Sequence, residues 1–308
     1  MTTAEPVKPV TTVGVVGLGD IGRGVAEAVG RAWFGLGVCD KRAEITAPFE
    51  GSARVAATPA SLGAGSDVVI VVVVDDRQVL AVIDGADGAL AGMAPGSTVV
   101  ILSTVSPATV ESVAEKASAR GIGVVDCGVS GGPAAAASGS LVAMVGGQAE
   151  VIERVRPVLD TFTSLVVHMG PLGAGLKAKL ARNLVQYGSW LAAYEAQVLA
   201  EAAGIELAKL AEVIRESDKL IGGASRLMFR DSAAPMPPDT HPVIVAAMAA
   251  GAALAHKDLR AAMELGRALE VELPLAVMID ARCDAVFGLE GRDGRDGRDG
   301  RDDGGEPS

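Results

Sequence analysis

Thr12–Gly30 reads TVGVVGLGDIGRGVAEAVG. It opens on Val13, Val15 and Val16, a β-branched apolar run that reads as a buried strand. It turns through Gly17-Leu18-Gly19-Asp20-Ile21-Gly22 and continues into Val25, Ala26 and Val29 at helical spacing. Strand, tight glycine turn and helix in that order form a dinucleotide-binding pattern. Gly17 allows the turn, Gly19 admits a pyrophosphate to the backbone, and Gly22 lets the helix pack close to the strand. The N–H groups at the helix start face the phosphates. In a chain with 39 glycines the pattern needs support, and Asp40 supplies it. This residue ends a second apolar run, Leu36-Gly37-Val38-Cys39, 21 residues beyond Gly19, where an acidic side chain takes the adenosine ribose hydroxyls.

The 308 residues allow two domains. With 49% apolar residues the chain is globular, and its net charge of −11 argues against nucleic acid or an anionic membrane surface as a partner. Cys39, Cys127 and Cys283 form no CxxC pair and read as reduced and buried. His168, His241 and His256 have no metal-ligand spacing, so no metal site is expected. The start of the chain carries no secretory pattern, Val68–Val74 is too short to span a bilayer, and Pro242–Ala255 is alanine-rich and short as well. The expected location is the cytoplasm.

Beyond Asp40, apolar runs alternate with helical patterns as far as Gly170. Strands are expected at Ala53–Ala57, Asp67–Val74, Thr98–Leu102, Gly123–Asp126, Leu141–Val145 and Leu165–His168. Helices are expected from Pro59, Asp76, Pro107 and Ala149, with Ser106 capping the third. The alternation predicts an α/β, Rossmann-type doubly wound parallel sheet. From Gly175 to Ala203 proline is absent, and Leu176, Leu180, Leu184, Tyr187, Leu191, Tyr194 and Val198 recur every three or four residues. This predicts one helix of about eight turns. Leu207–Ile214, Pro242–Ala268 and Leu275–Phe287 are helical too, so an all-α domain follows, built on the long helix. The expected organisation is a flexible N-terminus at 1–11, a Rossmann domain at 12–170, a helical substrate and dimerisation domain at 171–290, and a disordered Gly-Arg-Asp tail at 291–308.

A dinucleotide domain suggests hydride transfer, which needs a proton donor or acceptor beside the carbonyl. Lys179 lies one turn into the long helix, and Asn183 is one turn further on the same face. Together they can hold a substrate oxygen between an ammonium and an amide; the alternative is a solvated lysine. Ser130-Gly131-Gly132 places a hydroxyl and backbone N–H groups at a sheet edge, which suits a carboxylate, or else forms a plain connector.

The chain resembles the 3-hydroxyisobutyrate dehydrogenase family, the β-hydroxyacid dehydrogenases. The resemblance runs from about Thr12 to Phe287. It rests on four motifs in order: GLGDIG at Gly17–Gly22, DCGVSGGPAAAASGSL at Asp126–Leu141, GAGLKAKLARN at Gly173–Asn183, and HKDL at His256–Leu259. It implies Lys179 as the acid/base, Asn183 as its partner on the substrate, and Ser130, Gly131 and Gly132 on the substrate carboxylate. Thr104 and Lys257 would meet the cofactor near the nicotinamide, Val73 and Val74 would line it, and Asp258 would face the substrate. It also implies assembly as a homodimer or homotetramer.

Three departures bear on the substrate. Arg182 stands where the family commonly has asparagine. Facing the cleft it would contact an anionic substrate and favour neutral Lys179 by like-charge repulsion; facing away it is a surface charge. Ala250 replaces a frequent phenylalanine and widens the pocket, and the loop Asp231–His241 is unusually proline-rich. The expected protein is an NAD-dependent dehydrogenase, with NADP also admissible because Lys41 and Arg42 follow Asp40. Its substrate would be a small anionic 3-hydroxy acid. The rival readings are an imine reductase-like relative, against which the lysine argues, and a dinucleotide-binding protein without turnover.

Overall fold

The computed structural model describes residues 9–225 and 232–291. Residues 1–8 of the expected flexible N-terminus, Asp231 of the proline-rich loop, and the tail from residue 292 lie outside them. The chain packs as two compact units that divide between Asn183 and Leu184.

The first unit alternates strands and helices. It begins with β1 (Thr12–Val16), α1 (Asp20–Arg31), β2 (Gly35–Cys39), α2 (Ala43–Thr46), β3 (Arg54–Val55), α3 (Pro59–Gly63), β4 (Val68–Val71), α4 (Asp76–Asp84) and α5 (Ala89–Gly92). There follow β5 (Thr98–Ile101), α6 (Pro107–Ser118), β6 (Gly123–Ser130), α7 (Gly132–Ser138), β7 (Leu141–Gly146), α8 (Ala149–Leu159), β8 (Thr163–Gly170) and the start of α9 (Ala174–Ala202). The eight strands form one sheet in the order β3-β2-β1-β4-β5-β6-β7-β8. Val13, Val15, Val68 and Ile70 face α1 and α8 on one side. Val16, Val69, Val71 and Ile101 face α4 and α6 on the other. Alternate residues of the same strand serve opposite cores, which is why these strands read as unbroken apolar runs.

The sheet is parallel except at one junction, since β6 and β7 pair antiparallel with Asp126 opposite Gly146. The short connection through α7 re-enters the sheet at the end where β6 leaves it. A parallel return would need a crossover of a dozen residues or more. β6 also runs on to Ser130, beyond the expected end at Asp126, because β7 gives it partners as far as Ser130. β4 stops at Val71, short of Val74, and Val73 donates its N–H to Ser103 Oγ at 2.8 Å, turning the chain off the sheet.

The second unit contains the rest of α9, α10 (Leu207–Ile221), α11 (Pro242–Ala268) and α12 (Pro274–Val286). Glu195 on α9 is buried and caps α12, accepting from Leu275 N–H at 2.7 Å. Met236, Ala252, Cys283 and Leu289 form a small core. The apolar stripe of α9 changes character along its length. Leu176 is fully buried in the first unit, but Leu184, Trp190 and Tyr194 are 76%, 60% and 62% exposed. Periodicity identifies an apolar face but not what covers it. α11 extends past the apolar run to Ala268; it is 27 residues long, and its most apolar 18-residue window has a mean hydropathy of 1.2, long and apolar enough to cross a membrane by those measures. Its later turns carry His256, Lys257, Asp258 and Arg260.

Candidate functional site

Each glycine of the first turn meets a different physical demand. Gly17 has φ +87°, and a Cβ there would stand 2.2 Å from Val72 O. A Cβ on Gly22 would stand 1.9 Å from Gly17 O, so α1 can lie against the turn only without one. At Gly19 a Cβ would meet nothing within 4 Å, which leaves its backbone open to a ligand. Gly19 is also the N-cap of α1, and no side chain caps that end. The first N–H groups of a helix lack intrahelical acceptors and carry its positive dipole end. An open, uncapped helix start beside a closed turn fits a pyrophosphate.

A cavity of about 720 Å³ adjoins this turn. It is lined by Gly17, Gly19, Asp40, Val73 and Val74 of the expected set. The sequence reading had not placed Cys39, Thr58, Pro59 or Gln78 there. Thr58 is the side-chain cap of α3, and a Thr-Pro pair after an apolar strand was the available signal. Leu18, Gly19 and Asp20 line a smaller hollow of about 190 Å³ together with Arg42. The Leu18 side chain is buried; its N–H donates to Asp40 Oδ2 at 2.8 Å. Ile21 packs on the core beneath.

Asp40 is tightly held. Its Oδ1 accepts from Arg42 N–H at 3.0 Å and Arg42 Nε at 3.1 Å. Burial works to raise the Asp40 carboxyl, but the hydrogen bonds from Arg42 and Leu18 outweigh it and hold the group below the usual carboxylate range. It is therefore an ionised acceptor at the end of β2, facing the cavity.

The second cluster lies on β6 and the first turns of α9. Lys179 is half-buried, and its Cβ lies where a Cβ on Gly128 would come within 2.5 Å. Burial, and then the charge of Arg182, push the Lys179 ammonium below its ordinary value. Asn183 is partly buried one turn further along α9. Ser130 ends β6 on the face that carries Gly128, since side chains two apart share a face. Gly131 and Gly132 have φ of +134° and +74° and lead into α7. Thr104 is exposed just beyond β5.

Of the expected residues, Lys257 and Asp258 belong to the second unit. They lie on α11, both exposed, with Lys257 Nζ 3.2 Å from Asp258 Oδ1. Lys257 lines a cavity of about 820 Å³ with His256, Arg260 and Glu264. His256 ties α11 to α12 through Asp280 at 2.6 Å. Among the described residues, no three His, Cys, Asp or Glu side chains group as metal ligands.

Two family models match the chain: the NAD binding domain of 6-phosphogluconate dehydrogenase over residues 12–170, and the NAD-binding domain of NADP-dependent 3-hydroxyisobutyrate dehydrogenase over residues 173–296. An uncharacterized oxidoreductase of Mycobacterium tuberculosis is 41% identical over 290 residues, 93% of this chain and 96% of that protein. An L-threonate dehydrogenase of Cupriavidus necator is 38% identical over 207 residues, 67% of this chain and 70% of its own. A crystal structure of a Mycobacterium avium protein aligns with a TM-score of 0.83 at 37% identity, covering 90% of this chain and 99% of the other.

Proposed function

The chain belongs to the 3-hydroxyisobutyrate dehydrogenase family of NAD(P)-dependent hydroxy-acid dehydrogenases, and from that premise we propose that it oxidises a small 3-hydroxy acid with Lys179 as general acid/base. The observation that carries this reading is the state of Lys179. It is a half-buried lysine held below its usual pKa, seated on the β6 face that ends at Ser130. A lowered pKa raises the share of the neutral amine that a general base needs.

The Gly17–Gly22 turn, Asp40, Val73, Val74 and Thr104 would hold the nicotinamide dinucleotide, which when bound would accept the hydride. The Ser130 hydroxyl and the Gly131 and Gly132 N–H groups hold the substrate carboxylate, with the Arg182 cation adding opposite charge. Asn183 orients the substrate hydroxyl. Neutral Lys179 Nζ takes the hydroxyl proton as the carbon loses hydride; in the reverse direction its ammonium returns that proton to the oxygen. The test is reduced-nicotinamide formation with NAD and with NADP over a panel of small 3-hydroxy acids. L-threonate belongs in it, and so do bulkier acids to probe the space left by Ala250. Turnover of one panel member supports the reading; none, with cofactor bound, refutes it.

Like-charge repulsion gives a pH prediction. Arg182→Ala removes one of the two causes that lower Lys179. The acid limb of the oxidation profile, which reports loss of the neutral amine, is expected to move to higher pH. An unmoved limb would separate Arg182 from the chemistry.

Asp40 sets a second one. Its carboxylate repels a 2′-phosphate and accepts from a ribose hydroxyl, which favours NAD. Asp40→Asn also releases Arg42 from its ion pair. The NAD-over-NADP ratio of kcat/KM is expected to fall by about tenfold or more, a fraction of the ~4 kcal/mol exchanged by charges 4 Å apart near a protein surface. An unchanged ratio would remove Asp40 from cofactor choice.

The exposed face of α9, with Leu184, Tyr187, Trp190, Leu191 and Tyr194, supports assembly through the second unit. The expected state is a homodimer or homotetramer by sedimentation velocity, and a monomer at working concentration would refute it. Cys39, Cys127 and Cys283 are free and buried, which fits a reducing compartment and a cytoplasmic enzyme.

A further inference from the structure

Asp126 has no exposed surface, although it lies within β6 between Val125 and Cys127. A buried carboxylate is costly unless its oxygens are hydrogen-bonded. Both are. Oδ1 accepts from Gly173 N–H at 2.6 Å and Oδ2 from Leu176 N–H at 2.7 Å. Gly173 immediately precedes α9 and Leu176 lies in its first turn, where N–H groups have no intrahelical acceptor and an anion complements the helix dipole. The strand therefore grips the helix start through two charge-assisted bonds.

Small residues make that grip possible. Gly146 lies opposite Asp126 on β7, and a Cβ there would stand 2.3 Å from Asp126 Oδ1. A Cβ on Gly175 would stand 2.4 Å from Met144 O and 2.8 Å from Asp126 O. Two positions along the same face of β6, Gly128 leaves room for the Lys179 stem. One strand face thus carries, in order, the cap on α9, the seat of Lys179 and Ser130.

We propose that Asp126 is a positioning residue: by pinning the first turn of α9 to β6 it sets where Lys179 meets the substrate oxygen. The proposal rests on Lys179 being the acid/base.

The test uses the full-length protein and a 3-hydroxy acid that it oxidises. Asp126→Asn keeps the shape but replaces one acceptor oxygen with a donor that faces an N–H. Sites are counted by bound reduced nicotinamide, so misfolded protein does not enter the rate. The kcat per binding site is expected to fall on the order of 10- to 100-fold, as sub-ångström to ångström misplacement of a catalytic group does. KM for the cofactor should stay as in wild type. In a Lys179→Ala background, Asp126→Asn should lower residual turnover no further, because the two residues act as one unit. Full kcat per site would overturn the proposal. So would losses that multiply in the double variant, or a variant that no longer folds or binds cofactor, since Asp126 would then hold the domain as a whole. Wild-type turnover in Lys179→Ala alone would instead defeat the acid/base reading and the proposal with it, and the single variant reveals that separately.

Discussion

Lys179→Ala is expected to lower turnover by about 10²–10⁴, the usual worth of a general acid/base, with NAD affinity unchanged. The separation follows from where the residue sits. Lys179 belongs to the β6–α9 cluster and lines neither of the cavities at the Gly17–Gly22 turn. Removing its side chain takes away the proton acceptor and leaves the phosphate-facing backbone as it was. Lys179→Arg is expected to fail almost as badly, since a guanidinium stays protonated across the working range and cannot act as the base. Rapid cofactor titration and steady-state rates on the same preparation check both. A parallel fall in NAD affinity would place Lys179 in the cofactor site.

Gly22→Ala and Gly19→Ala should separate folding from binding. A methyl on Gly22 would lie 1.9 Å from Gly17 O, a backbone atom that cannot swing aside. α1 must shift from the turn, at an overpacking cost of about 1–3 kcal/mol. That corresponds to a Tm lower by roughly 2–12 °C. A methyl on Gly19 meets nothing within 4 Å, and its φ of −66° suits alanine. Tm should therefore hold. The methyl instead occupies the approach to the N-terminus of α1, and NAD affinity should fall by about tenfold or more, at about 1.4 kcal/mol per tenfold. Thermal melts with and without NAD read both effects. A Gly19→Ala protein with wild-type affinity would show that the pyrophosphate does not cross this backbone.

The features legible in the sequence are those whose causes are local. The Gly17–Gly22 turn announces itself because three backbone demands fall within six positions. α9 and α11 were legible because an uninterrupted helical pattern has few competitors. The direction of β7 was not, because it depends on where a short connection re-enters the sheet. The exposure of Leu184 and Trp190 was not, because a periodic stripe looks the same whether its cover comes from the chain or from outside. Asp126 is the clearest loss. Its partners lie 47 and 50 residues further on, and only the folded sheet brings them together. Lys179 stood between these cases: helical spacing paired it with Asn183, while its partial burial and its seat over Gly128 needed the fold.

The most direct test of the central claim follows the hydride itself. A 3-hydroxy acid carrying deuterium on its hydroxyl-bearing carbon is incubated with the protein and NAD, and the reduced nicotinamide is examined by mass spectrometry. Deuterium on the nicotinamide ring, formed by the wild type and lost in Lys179→Ala, is the result predicted here. Bound NAD with no deuterium transferred from any acid in the panel would contradict it, and would leave a dinucleotide-binding protein that performs no hydroxy-acid oxidation.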